Sequence, residues 1–218
     1  INFNIIKKFF KFPLVAVNNF IKFKIIQAKP ILYFVPNKVW YKIISKNADS
    51  SKIIKIQDYD FQVFRKYSKG SRKKNFIVFI DQEMDYSFDH RINYSKKPFM
   101  DRENYWFLID KFLSSVSKKF NSRVVVAASH RRSIYDKPIK YKFFFDKTAE
   151  LIKNSKFVVA HDSTALHIAI LFKKPIILLT HEEFKKKQTK HHSISTIANR
   201  IGTKPINLSS FSFNEKKI

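Results

Sequence analysis

From residue 76 onward the chain repeats one pattern: a continuous apolar run of strand length, then a longer amphipathic or polar stretch, then another run. "FIVFID" (76–81), "RVVVAAS" (123–129), "KFVVA" (156–160) and "KPIILLT" (174–180) are the runs. A sheet wet on one face would alternate apolar and polar residues, whereas unbroken Val, Ile and Leu call for burial on both faces. Between the first two runs, "DRENYWFLIDKFLSSVSKKF" (101–120) opens on Asp101 as an N-cap. It then repeats Trp106, Ile109, Phe112, Leu113 and Val116 at helical spacing. "KTAELIKNS" (147–155) and "STALHIAILF" (163–172) predict shorter helices, and "SISTIANRI" predicts one that stops at Gly202. Strands buried on both faces and separated by helices predict an α/β fold, with a parallel Rossmann-like sheet, helices on both faces and right-handed crossovers.

The chain before this repeat is less regular. Residues 1–29 alternate bulky apolar residues with lysine, and Pro13 breaks any long helix. "ILYFV" (31–35) and "KIIKI" (52–56) read as short strands around a helix in "NKVWYKIISKN". "YSKGSRKKN" (67–75) is polar and basic and carries one of two glycines, so it reads as a linker. The expected organisation is an N-terminal remnant over 1–66, a linker over 67–75 and the α/β domain over 76–218.

With 44% hydrophobic residues the chain can build a core, which excludes a disordered protein. The absence of cysteine excludes disulfide frameworks and thiolate zinc sites, and fits a cytoplasmic protein. No apolar run reaches the roughly 18 residues of a membrane span, because lysines interrupt each one. The formal net charge of +26 points to anionic partners, although lysine, asparagine, isoleucine and phenylalanine are inflated together, as an AT-rich genome also produces. The basic 1–29 stretch suits peripheral contact with anionic lipid on the inner face of the cytoplasmic membrane. A half-buried element beside a core gives the same pattern.

In open parallel sheets ligands bind outside the carboxyl ends of the strands. The residues that follow the runs are "DQEMDYSFDH", "HRR", "HDST" and "HEE", so polar groups collect on one rim. Ser163 and Thr164, at a strand-to-helix junction, can hold an anion with their hydroxyls and the free amides of a first helical turn. They can equally do no more than cap the helix. His130, Arg131 and Arg132 can neutralise the same anion, so a phosphorylated ligand is expected. With glycine only at 70 and 202, neither a Walker loop nor a Gly-x-Gly-x-x-Gly turn exists. A nucleotide-sugar site needs neither.

"FIDQ" (79–82), "AASHRR" (127–132), "TAELIK" (148–153), "HDST" (161–164) and "LFKKPIILLT" (171–180) form an ordered set. Together they resemble the nucleotide-sugar-binding half of GT-B-fold glycosyltransferases of bacterial surface-polysaccharide (capsule and lipopolysaccharide) synthesis. A looser similarity is to bacterial sialyltransferases and related CMP-sugar enzymes. The resemblance implies a metal-independent transferase with no cofactor beyond its UDP- or CMP-linked donor. It implies donor contacts at His130, Arg131 and His161, phosphate contacts at Ser163 and Thr164, and ribose contacts at Glu182 or Glu183. Asp81, Asp85 or Asp89 would be the general base, with His90 as a further candidate. The implied partners are a nucleotide sugar and a glycan or lipid-linked acceptor, with no specific nucleic acid. The sequence departs from the pattern at Arg131, where the family has proline. At roughly 150 residues per domain, residues 1–66 supply only a remnant of the N-terminal, acceptor-binding domain.

Two other readings stay open. His130, His161, Asp162 and His181 on one rim could ligate a divalent ion in a hydrolase, although they lack a compact spacing signature. A basic module binding nucleic acid or membrane would use the 16% aromatic content for stacking, but most phenylalanines lie in core-type runs.

Overall fold

The computed structural model describes residues 32–36, 38–70, 75–86, 98–129, 132, 140–186 and 188–211. The chain divides into two compact units, Ile1–Asp58 and Tyr59–Ile218. In the first, strand β1 (Tyr33–Val35) pairs in parallel with β2 (Ile53–Lys55), and helix α1 (Lys38–Ile44) connects them. These are the two strands and the helix expected there. The basic stretch 1–29 lies outside the described residues.

The second unit opens with helix α2 (Tyr59–Ser68), which the sequence reading left unassigned. Val63 and Tyr67, one helical turn apart, pack on the core beside helices α4 and α5 described below. This helix moves the division ahead of the 67–75 stretch, because Val63 and Tyr67 pack, partly buried, against the sheet domain. A half-covered ten-residue helix shows only two or three core positions, too few for its period to stand out.

Six strands follow: β3 (Phe76–Ile80), β4 (Arg123–Ala128), β5 (Lys142–Phe145), β6 (Val158–Ala160), β7 (Ile176–Thr180) and β8 (Ile206–Asn207). Their order across the sheet is β5-β4-β3-β6-β7-β8 and every described pairing is parallel. Counted from β3 this is the 3-2-1-4-5-6 order of a Rossmann-like sheet. All five residues of β3 are buried, as expected of a strand covered on both faces. Edge strand β5, "KFFF", was not expected. Its apolar residues are only partly buried, so it lacks the aliphatic signature of the central strands.

Alternate strand residues feed two cores. Ile77, Phe79, Val126 and Val159 face helix α3 (Arg102–Lys119), while Val78, Ile80, Val125 and Val158 face α4 (Thr148–Asn154) and α5 (Leu166–Leu171). Helices therefore flank both faces. Helix α3 is capped as predicted: the Asp101 carboxylate accepts from the Asn104 amide at 3.1 Å, and the predicted apolar positions are buried. After β7 come α6 (Glu182–Lys186) and α7 (Gln188–Arg200). Gly202, at φ +67, carries the chain away from α7 through a conformation that side chains with a Cβ disfavour. Among the described residues no helix is long and apolar enough to cross a membrane.

Candidate functional site

Strand order reverses between β3 and β6. Folds of this kind take ligands in a crevice at the carboxyl ends of the strands that flank such a switch point. The loop after β3 begins Asp81-Gln82 and the loop after β6 begins His161-Asp162.

Gln82 fastens these loops together. Its side-chain oxygen accepts from the backbone N–H of His161 (3.1 Å) and of Asp162 (2.8 Å), and its Nε2 donates to Asp162 Oδ1 (3.0 Å). A backbone amide carries only one donor, so a side chain with one acceptor and one donor group matches this turn where an acid or amine would not.

The loops after β3 and β4 also share a buried charge cluster. Arg132 Nη2 donates to Asp81 Oδ1 at 3.1 Å and to Asp85 Oδ1 at 2.6 Å. Nη1 reaches Asp85 Oδ2 at 3.1 Å, and Nε is bonded to Asp81 Oδ2. The guanidinium thus grips both carboxylates in bidentate fashion. Its planar face lies over the Trp106 ring, 5.1 Å from the centroid, and Trp106 Nε1 donates to Asp85 at 2.9 Å. Burial pushes the Asp81 carboxyl up from its usual range, and the adjacent Arg132 charge and hydrogen bonds oppose this. With two carboxylates against one guanidinium, the trio is net negative when both acids are ionised. Burial and the two acids together hold the Tyr105 hydroxyl protonated, well above its ordinary range.

This changes the roles expected of Asp81, Asp85, Arg132 and His161. Asp81 and Asp85 were candidate bases, but both are buried and clamped, and a base must reach the proton it takes. Arg132 was expected to neutralise a bound anion and instead neutralises these carboxylates. His161 was expected to touch the donor, yet it is 0% exposed. Its Nδ1 lies 2.9 Å from the Leu179 carbonyl, which can only accept, so Nδ1 carries the proton and Nε2 receives the Tyr105 hydroxyl at 3.3 Å. The ring also packs edge-on against Phe79 and Phe184. Replacing His161 with Phe is expected to keep this packing and to leave two buried groups unpaired, a loss of about 2–4 kcal/mol in urea denaturation. Unchanged stability with weakened ligand binding would instead make His161 a ligand contact.

The Ser163-Thr164 junction also differs from expectation. Helix α5 starts at Leu166, not at 163, and runs only to Leu171. Ser163 Oγ accepts from the Ala165 amide (3.2 Å), the Leu166 amide donates to the Ser163 carbonyl (3.1 Å), and the His167 amide donates to the Thr164 carbonyl (3.1 Å). The turn consumes the amides of Ala165, Leu166 and His167, because the chain leaves β6 through a tight bend before it can wind into a helix. What stands on the rim is the Ser163 and Thr164 side chains, half-buried and exposed respectively.

Glu182 is exposed and accepts from Asn207 Nδ2 at 2.5 Å, while the Glu183 amide donates to His181 Nδ1 at 3.1 Å. Thr180, at the carboxyl end of β7, has a buried hydroxyl with no hydrogen-bond partner among the described residues. Asp89, His90, His130 and Arg131 lie outside the described residues. For the metal-hydrolase reading, His161 is lost as a ligand because both ring nitrogens are engaged. Among the described residues no group of three or more His, Asp or Glu side chains is arranged to hold a metal ion.

Sequence reasoning missed Gln82, Tyr105 and Trp106 as parts of this assembly. The available signal was position: Gln82 directly follows a strand that ends at the sheet's carboxyl edge. Tyr105 and Trp106 sit at core spacing and carry no mark of their polar role. A cavity of about 490 Å³ lies away from the crevice, between α2, α4 and α5, lined by Tyr59, Tyr67, Lys66 and Asp146 among others.

The fold and the crevice define an α/β protein with a Rossmann-like sheet and a buried, Gln-fastened carboxyl edge. No protein-family model matches the sequence, and no curated protein matches it significantly.

Proposed function

We propose that the second unit binds a nucleotide sugar at the β3/β6 crevice and that the protein is a GT-B-type glycosyltransferase acting on a surface glycan or lipid-linked acceptor. One observation carries this reading. Three separate segments of the ordered motif set, "FIDQ", "AASHRR" and "HDST", are bonded to one another at the switch point through Arg132–Asp81 and Gln82–Asp162. Such convergence is what a shared ligand site requires.

In this reading the hydroxyls of Ser163 and Thr164 meet the donor phosphate, with Arg131 supplying positive charge. Glu182 or Glu183 holds ribose hydroxyls. The unpaired hydroxyl of Thr180 is a buried group that a ligand atom would satisfy. The acceptor oxygen attacks the anomeric carbon as the bond to the nucleotide phosphate breaks, and cations stabilise the departing phosphate. Asp89 and His90 remain the candidates for taking the acceptor proton, since Asp81 and Asp85 are engaged by Arg132.

The test is a thermal-shift panel of UDP-, GDP- and CMP-sugars. A single nucleotide class should raise the melting temperature by roughly 5–10 °C at a hundredfold excess over its Kd. Ser163→Ala and Arg131→Ala should abolish the rise while leaving the unliganded melting temperature in place. No shift with any donor overturns the proposal.

A further inference from the structure

Because every described pairing in the six-stranded sheet is parallel, all strand starts lie at one edge, opposite the crevice. Five of the six strands enter from that edge behind a cation at or two residues before the first strand residue: Arg123, Lys142, Lys156, Lys174 and Lys204. The helices that return to the same edge end in cations as well, Lys118 and Lys119 on α3, Lys153 on α4, Lys173 after α5 and Arg200 on α7. Among the described residues of this unit, the carboxylate that approaches that edge is Asp110 of α3, which pairs with Lys140 (2.9 Å) and accepts from Tyr141 just before β5. Most other carboxylates follow strands or open helices at the far side, as Asp81, Asp85, Asp101, Asp146, Asp162 and Glu182 do.

Helix dipoles account for part of this segregation, since they favour cations at helix C-termini. They say nothing about residues that open strands. A mutational bias toward lysine does not explain why carboxylates gather at the far edge, where Arg102, Arg132 and Lys147 also stand. Several of these lysines bond to backbone carbonyls, Lys156 to Phe120 at 3.3 Å and Lys174 to Ser155 at 2.6 Å, which orients them without cancelling their charge.

We infer that the amino-terminal edge of this sheet is a docking face for an anionic phospholipid bilayer. The array extends about 24 Å along the sheet edge, from the roughly 4.8 Å spacing of six strands. It also runs across the domain from the end of α3 on one face to the ends of α4 and α5 on the other. A surface of diffuse negative charge matches such a two-dimensional array, whereas a nucleic acid strand presents a line of phosphates. Phe120, 36% exposed at the same edge, supplies an apolar side chain for the interfacial region. Docked this way, the protein holds its crevice away from the lipid. The inference does not depend on the donor reading and differs from contact through residues 1–29.

The experiment is vesicle co-sedimentation of the full chain, with phosphatidylcholine alone and with equimolar phosphatidylcholine and phosphatidylglycerol. Binding is expected only to the mixed vesicles and should fall steeply as salt is raised. Arg123→Gln, Lys142→Gln and Lys204→Gln together should weaken it roughly a hundredfold, at the usual contribution of each basic residue near a charged membrane. Arg102→Gln, Lys111→Gln and Lys147→Gln remove equal charge from exposed positions outside that edge and should change it far less. Lys118→Gln with Arg200→Gln, on other elements, should act in the direction of the first set. Equal loss in both triple variants, loss only when lysines within 1–29 are replaced, no binding to the mixed vesicles, or displacement of vesicles by RNA at equal phosphate would each overturn the inference.

Discussion

Arg132→Ala should destabilise the protein by about 3–5 kcal/mol, the usual penalty for removing one partner from a buried ion pair. Total stabilities run to about 5–15 kcal/mol, so this variant stands near the limit of folding. The loss comes from stranding Asp81 and Asp85 in a site shielded from water, with the Trp106 indole as a remaining donor to one of them. Arg132→Lys should recover only part of it, because an ammonium cannot reproduce two bidentate contacts.

The pH dependence gives the sign. Without the guanidinium, burial raises the folded-state pKa of the Asp81 carboxyl further above the unfolded value. The folded variant then binds more protons than the unfolded chain between those two values. Its stability relative to the unaltered protein is therefore greatest at low pH and is lost as pH rises through that window. Arg132→Met combined with Asp81→Asn and Asp85→Asn should recover most of the loss, since the charges are then gone altogether. Urea titrations of the three variants across pH decide the matter. A loss below about 1 kcal/mol for Arg132→Ala, the level of an exposed pair, would mean that the cluster is not closed to water.

Gln82→Leu is expected to lower stability by about 2–4 kcal/mol and, under the proposed function, to abolish the thermal shift with a nucleotide sugar. The side chain that closes the turn meets two backbone amides and one carboxylate, and leucine leaves the two amides unmatched at a half-buried position. Gln82→Glu separates packing from hydrogen bonding. It retains the acceptor for both amides but sets a second carboxylate against Asp162, so it should be poor at neutral pH and recover in acid, when the pair can share a proton. Denaturation together with the thermal-shift panel reads both effects. If Gln82→Leu melts normally and still responds to the donor, the turn is fastened by other contacts and the crevice does not depend on Gln82.

Both variants concern residues whose importance was only partly visible in the chain. The strand core of β3, β4, β6 and β7 was legible, because burial on both faces writes continuous aliphatic runs. Helix α3 was legible because Asp101 caps it and its apolar residues recur at helical spacing. Edge strand β5 and helix α2 were not, since each is only half covered and its pattern is correspondingly short. The rim itself could be read from the residues that follow strands. The state of those residues could not: His161 looks from its neighbours like an exposed loop residue, and it is fully enclosed.

Local pattern therefore determined the class of fold, the orientation of strands and helices, and which segments end at the carboxyl edge. These depend on periodicity within ten or twenty residues, which a chain displays directly. Tertiary structure alone decided that Arg132 answers Asp81 from 51 positions away, that Gln82 closes a turn 80 positions on, and that α5 begins too late to offer its first amides. Such pairings arise only when the sheet brings distant strand ends within about 3 Å of one another. The free energy of a buried polar group is then set by the partner it meets rather than by its neighbours in the chain.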